Sequence, residues 1–190
     1  MTLQEIKEDA LAWCREDRSV IVRLPVLAYG FFLLWKTALH PNSFTPFDFL
    51  NLGIHELGHM VFMPFGEWIG VAAGSAAQIL APIFGAWQFF RQRDYFAVAF
   101  SLGWLGESLA NLSVYIGDAR KQELPLVSPF GGDPLHDWNY LLASINRLQL
   151  DSAYAKRVQG LGFLSAFAFV LLGSWLLLEM VRGGRTEEHE

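Results

Sequence analysis

A chain of 190 residues that is 53% hydrophobic and only 17% charged falls short of the roughly 25% charge of ordinary soluble domains. Its net charge of −5 supplies no basic surface, which excludes electrostatically driven nucleic-acid binding. Cys14 is the single cysteine, so an internal disulfide and a cysteine-built zinc ribbon are excluded as well.

Residues 1–19 mix acids and bases, with Leu3, Ile6, Ala10 and Trp13 at helical spacing. That pattern predicts an amphipathic helix, lying at a membrane surface or packed on the rest of the chain, and it is unlike a cleavable signal. Residues 20–117 hold four apolar segments of about the 20-residue length that a spanning helix needs. The first, 20–39, has Arg23 and Lys36 near its ends, where long side chains can snorkel. The second, 47–65, is apolar apart from Asp48 and a His-Glu-His cluster. In the third, 69–90, Gly70, Gly74, Ala77 and Ala81 predict close helix packing, and no chemistry is assigned to them. Only Glu107 interrupts the fourth, 95–116.

Residues 118–160 form the one long non-apolar stretch, with Pro125, Pro129, Gly131, Gly132 and Pro134 followed by a helical pattern from Trp138 to Leu150. A fifth span is expected over 161–181, then a charged, disordered tail at 182–190. The expected fold class is all-α: one membrane-embedded domain, a multi-pass transmembrane bundle of about five spans. Lysine and arginine are more frequent in the segments that share a side with the N-terminus. The positive-inside rule therefore places the N-terminus inside, in a bacterial-type or organellar inner membrane.

His55-Glu56-Leu57-Gly58-His59 has the pattern H-E-x-x-H. On a helix, residues i and i+4 share a face, so both imidazoles can reach one metal ion. Glu56 follows the first histidine, where its carboxylate can reach a water on the metal without being a ligand. Chance predicts on the order of 0.01 occurrences of this pattern in such a composition. Ionisable groups in the middle of an apolar span also mark a functional site, because burying them in lipid is costly. The bland alternative is a polar knot of interhelical hydrogen bonds.

An H-E-x-x-H motif inside an apolar helix, with a glycine between Glu56 and His59, resembles the site-2 protease family of intramembrane metalloproteases. The resemblance implies a helical membrane core, one catalytic zinc ion per chain, and hydrolysis of membrane-protein or peptide substrates at the bilayer. It also implies an aspartate ligand from a Pro-Leu-Asp-Gly-Gly-like stretch. The counterpart here is Pro134-Leu135-His136-Asp137, which suggests Asp137 as the third ligand although no glycine pair follows it.

The residues alone leave the third ligand open, since catalytic zinc takes three protein ligands and a water. Asp137 competes with His136, with Glu107 as a ligand or a partner of a ligating histidine, and with Asp118 or Asp133. The expected function is an intramembrane zinc metallopeptidase. The competing reading is a catalytically silent relative acting as a membrane scaffold or chaperone, in which Glu56 would have no task.

Overall fold

The computed structural model describes residues 2–16, 18–126 and 135–187, with side chains described as far as Gly183. Pro129, Gly131, Gly132, Asp133, Pro134 and the last three residues of the tail lie outside the described residues. Every regular element among those described is helical.

The order is α1 (Leu3–Arg15), α2 (Val20–Leu39), α3 (Pro46–Phe62), a 3-10 turn at Met63–Phe65, α4 (Glu67–Arg91), α5 (Tyr95–Gly117), α6 (Asp137–Ser144), a second 3-10 turn at Leu148–Leu150, and α7 (Asp151–Glu187).

Among the described residues, three stretches are long and apolar enough to cross a membrane: Val20–Leu39, Glu67–Arg91 and Leu148–Gly183. Their outward faces carry large apolar side chains, among them Phe31, Leu80, Phe84, Leu164 and Leu171, each more than half exposed to the surroundings of the protein. A lipid-facing surface has this composition, whereas a water-facing one seldom keeps so much apolar area. The other two expected spans are helices that fall short of the same measure. α3 has 17 residues, and α5 carries Glu107, Ser108 and Ser113 on its buried side.

α5 and α7 form the central pair, and close backbone approach at Gly106 and Gly162 lets them meet. Phe169 of α7 is fully buried, its ring pressed against Gly30 of α2 and Gly103 of α5. α1 begins with a capping box of Thr2 and Glu5 and buries Ala10, Trp13 and Cys14. Those side chains join Tyr95, Phe96, Leu176, Leu177 and Met180 in one cluster at the base of the bundle.

Two boundaries differ from the sequence reading. The pattern from Trp138 to Leu150 is split, because α6 ends at Ser144 and Asn146 takes a left-handed conformation at φ 55°. Helix α7 starts at Asp151, ten residues before the expected fifth span, and its 37 residues reach about 55 Å at 1.5 Å each. That exceeds the roughly 30 Å apolar core of a bilayer, so its polar first turns extend past the apolar stretch. Lys36 also departs from expectation. It does not snorkel outward but turns inward, 1% exposed, onto Glu107.

Candidate metal centre

Helix α3 starts at a capping box in which the Thr45 backbone N–H donates to Asp48 Oδ2 at 2.6 Å, with Pro46 as first helical residue. Ten residues on, His55 and His59 project from one face one turn apart, their rings 4.7 Å apart and nearly perpendicular. The chain then breaks at Gly66, whose φ of 112° suits glycine, and α4 returns against α3.

The face of α4 that meets the histidines is built from Gly70, Gly74 and Gln78, at i, i+4 and i+8. The Gly70 carbonyl accepts a hydrogen bond from His59 Nδ1 at 2.8 Å. Gln78 Oε1 lies 3.2 Å from His55 Nδ1. Between them, Gly74 keeps a space open. A Cβ placed there would lie 2.5 Å from His59 Nε2 and 2.7 Å from His55 Nε2.

Asp137 closes the site from α6, 82 residues after His55 in sequence. Its Oδ2 is 2.8 Å from His55 Nε2 and 3.1 Å from His59 Nε2. Four hydrogen bonds hold the short helix in place. The Asp137 backbone N–H donates to the Tyr115 hydroxyl at 3.0 Å, and Asn139 Nδ2 to the Ala119 carbonyl at 2.8 Å. The indoles of Trp138 and Trp68 bridge α6 and α4 through Ser75 at 3.0 Å and Ser144 at 3.1 Å.

The proton positions follow from these partners. A carbonyl only accepts, so His59 Nδ1 must carry its proton toward Gly70. Gln78 Nε2 donates to the Ser108 carbonyl at 3.3 Å and to Asn111 Oδ1 at 3.0 Å, which turns Oε1 toward His55 and makes His55 Nδ1 a donor too. Both Nε2 atoms are then the ones that face each other and the Asp137 carboxylate oxygen. Burial would raise the Asp137 carboxyl, yet its bonds to the two imidazoles override that and hold it below the usual carboxylate range.

At these distances a proton on each imidazole nitrogen bonds the Asp137 carboxylate, and a metal cation can take the place of those protons. Two nitrogens and one carboxylate oxygen, with an open fourth side, are the donor set of a catalytic zinc site. The space kept by Gly74 lies beside both nitrogens. The residues present fit a zinc ion.

The ligand-type atoms of His55, Glu56 and His59 lie within 4.8 Å of one another. Asp137 is nearer still to both imidazoles. No hydrogen bond or ion pair engages the Glu56 carboxylate among the described residues, and Glu56 lines a mainly apolar cavity of about 780 Å³ with His55, His59, Asp137 and Tyr115. That cavity is walled by Phe44, Leu52, Met60 and Leu126 and edged by Asp48, Gln78 and Asn111.

The other third-ligand candidates lie elsewhere. His136 caps α6, its Nδ1 accepting from the Asn139 N–H at 3.3 Å, and its Nε2 is 3.4 Å from Asp118 Oδ2. Asp118 accepts from the backbone of Glu123 and Leu124, each at 3.0 Å. Glu107 is fully buried and accepts from Lys36 Nζ at 2.5 Å and Thr45 Oγ1 at 2.7 Å, away from the imidazoles. Asp133 lies outside the described residues.

Sequence reading assigned α4 to packing alone and so missed Gly70, Gly74 and Gln78. The signal was present: two glycines and a glutamine every fourth residue along a segment without charge. No family model, curated protein or solved structure matches this chain.

Proposed function

We propose that this protein is an intramembrane zinc metallopeptidase of the site-2 protease type, with His55, His59 and Asp137 as zinc ligands and Glu56 as general base. The convergence of His55 Nε2, His59 Nε2 and Asp137 Oδ2, beside a Glu56 carboxylate that no hydrogen bond engages among the described residues, carries this reading. Bound there, zinc would polarise a scissile carbonyl and lower the pKa of a water. Glu56 takes a proton from the attacking water as its oxygen bonds to the carbonyl carbon. The same carboxylate then returns the proton to the amine nitrogen as the C–N bond breaks. Gly70 and Gln78 hold the imidazoles in place through both events.

The membrane assignment extends the three apolar helices to five. α3 and α5 lie at membrane depth against α4, with α5 also packed on α2 and α7, and their polar side chains turn to one another and to the cavity, as polar groups within bilayers do. The N-terminus is placed inside. The cavity gives a substrate segment a protected, largely apolar approach to the site, and water a polar edge along Asp48, Asn111 and Gln78.

Elemental analysis of detergent-purified protein tests the metal. Wild type is expected to carry about one zinc per chain, and His55→Ala, His59→Ala and Asp137→Ala to lose it, while Glu107→Gln and His136→Ala keep it. Glu56→Gln should retain zinc and lose cleavage of a membrane-inserted peptide. Wild type that takes up no zinc when supplied overturns the reading. Full zinc with no hydrolysis that depends on Glu56 leaves the silent scaffold in its place.

A further inference from the structure

A line of side chains crosses the bundle from the candidate centre to a buried ion pair, and each bond in it has a fixed direction. Lys36 Nζ sits 2.5 Å from Glu107 Oε1 and 3.8 Å from Asp48 Oδ1. Asp48 Oδ1 accepts from Asn111 Nδ2 at 3.1 Å. Asn111 Oδ1 accepts from Gln78 Nε2 at 3.0 Å, and Gln78 Oε1 is 3.2 Å from His55 Nδ1. Four helices contribute: α2, α3, α4 and α5.

The direction follows from the chemistry of the end groups. A carboxylate accepts, and Asp48 already accepts the Thr45 backbone N–H through its other oxygen at 2.6 Å. Asn111 must therefore present its NH2 to Asp48 and its oxygen to Gln78. Gln78 in turn presents its NH2 to Asn111, with the Ser108 carbonyl at 3.3 Å reinforcing the same orientation. Only its oxygen is left for His55. A carbonyl oxygen requires a proton on Nδ1, which leaves Nε2 as the atom that faces Asp137 and His59.

We propose that Asp48, Asn111 and Gln78 form a directional relay that holds His55 with a proton on Nδ1 and Nε2 turned to the ligand cluster, Gln78 being the positioning residue and Asp48 the group that sets the polarity. The relay rests on the reading of His55 as a ligand. His59 is a built-in control: its Nδ1 partner is the Gly70 backbone carbonyl, which side-chain changes in the relay leave in place.

Nitrogen-15 NMR of histidine-labelled protein in detergent reads the proton directly, with the His55 signals assigned by their loss in His55→Gln. His55 Nδ1 is expected to be protonated in wild type both with and without zinc. Gln78→Met, which removes the acceptor, is expected to lower zinc affinity by about 10–100-fold and to shift the His55 signals while those of His59 stay. Gln78→Glu, which keeps an acceptor, should stay near wild type. Asp48→Asn and Asn111→Leu should fall between, since the Ser108 carbonyl still orients Gln78.

An unprotonated His55 Nδ1 in wild type overturns the relay whatever Gln78→Met does, even if that variant fails to fold. Unchanged zinc affinity in a folded Gln78→Met also overturns it. Absence of zinc from wild type instead overturns the metallopeptidase reading, and the state of His55 Nδ1 without zinc still decides the relay.

Discussion

A single methyl group at Gly74 is expected to remove the metal while sparing every ligand. The Cβ of Gly74→Ala would lie 2.5 Å from both Cε1 and Nε2 of His59 and 2.7 Å from His55 Nε2. Ordinary carbon contacts need about 3.5–4.0 Å, so each ring must retreat by roughly 1 Å. Zinc needs its nitrogens at about 2.0–2.1 Å, and the methyl claims space beside that point. The rings can swing away because they are side-chain ends, at the cost of the bonds to Gly70 and Gln78. Losing such outer partners costs about 10–100-fold in metal affinity, and with the methyl group in the way zinc affinity should fall by at least that much. Competition titration against a chromophoric chelator measures it, with a thermal melt to show that the helices remain. Gly85→Ala on the same helix is the control, because its nearest neighbour, Ser101 Oγ, is at an ordinary 3.5 Å. Wild-type zinc affinity in a folded Gly74→Ala would refute the placement of the metal between these nitrogens.

Lys36→Met leaves the fully buried Glu107 without its cation and should destabilise the fold by about 3–5 kcal/mol in a denaturation series, whereas Lys36→Met/Glu107→Gln together should recover most of that loss. Phe169→Ala empties the space between Gly30 and Gly103 and should cost about 3–5 kcal/mol, read from the unfolding midpoint, with zinc stoichiometry unchanged. Burial pushes the Cys14 thiol up from 9.0 to about 11, with Glu179 adding to the shift. At pH 8 its thiolate is then about 100-fold scarcer than in a free cysteine, and maleimide should label Cys14 only after denaturation. The raised value favours the neutral thiol in the folded state. Its contribution to stability is thus complete below pH 9 and lost as pH rises toward 11; a melting temperature that holds constant across that range would contradict it.

Much of this molecule was legible from local pattern alone. Val20–Leu39 is a helix with the bounds its composition indicates, because a mainly apolar stretch of that length satisfies its backbone in lipid only as a helix, and the helix continues through Pro25. The pairing of His55 with His59 is equally local, since 3.6 residues per turn put them on one face wherever the helix goes. Pattern misled where polarity was shared across helices. Lys36 reads as a snorkelling end residue, and only Glu107 and Asp48, on two other helices, explain why it is buried.

The sequence by itself determined an all-helical, apolar chain and a pair of histidines flanking a carboxylate, because both depend on spacings within a single helix. Tertiary structure decided the rest of the site. Asp137, rather than His136, Asp118 or Glu107, meets the imidazoles because α6 is docked by Tyr115, Ser75 and Ala119, residues far from it in sequence. Likewise Gly70, Gly74 and Gln78 acquire a role only when α4 folds back against α3. Which ring nitrogens face one another depends on where neighbouring helices place their carbonyls, and no spacing along a single helix encodes that.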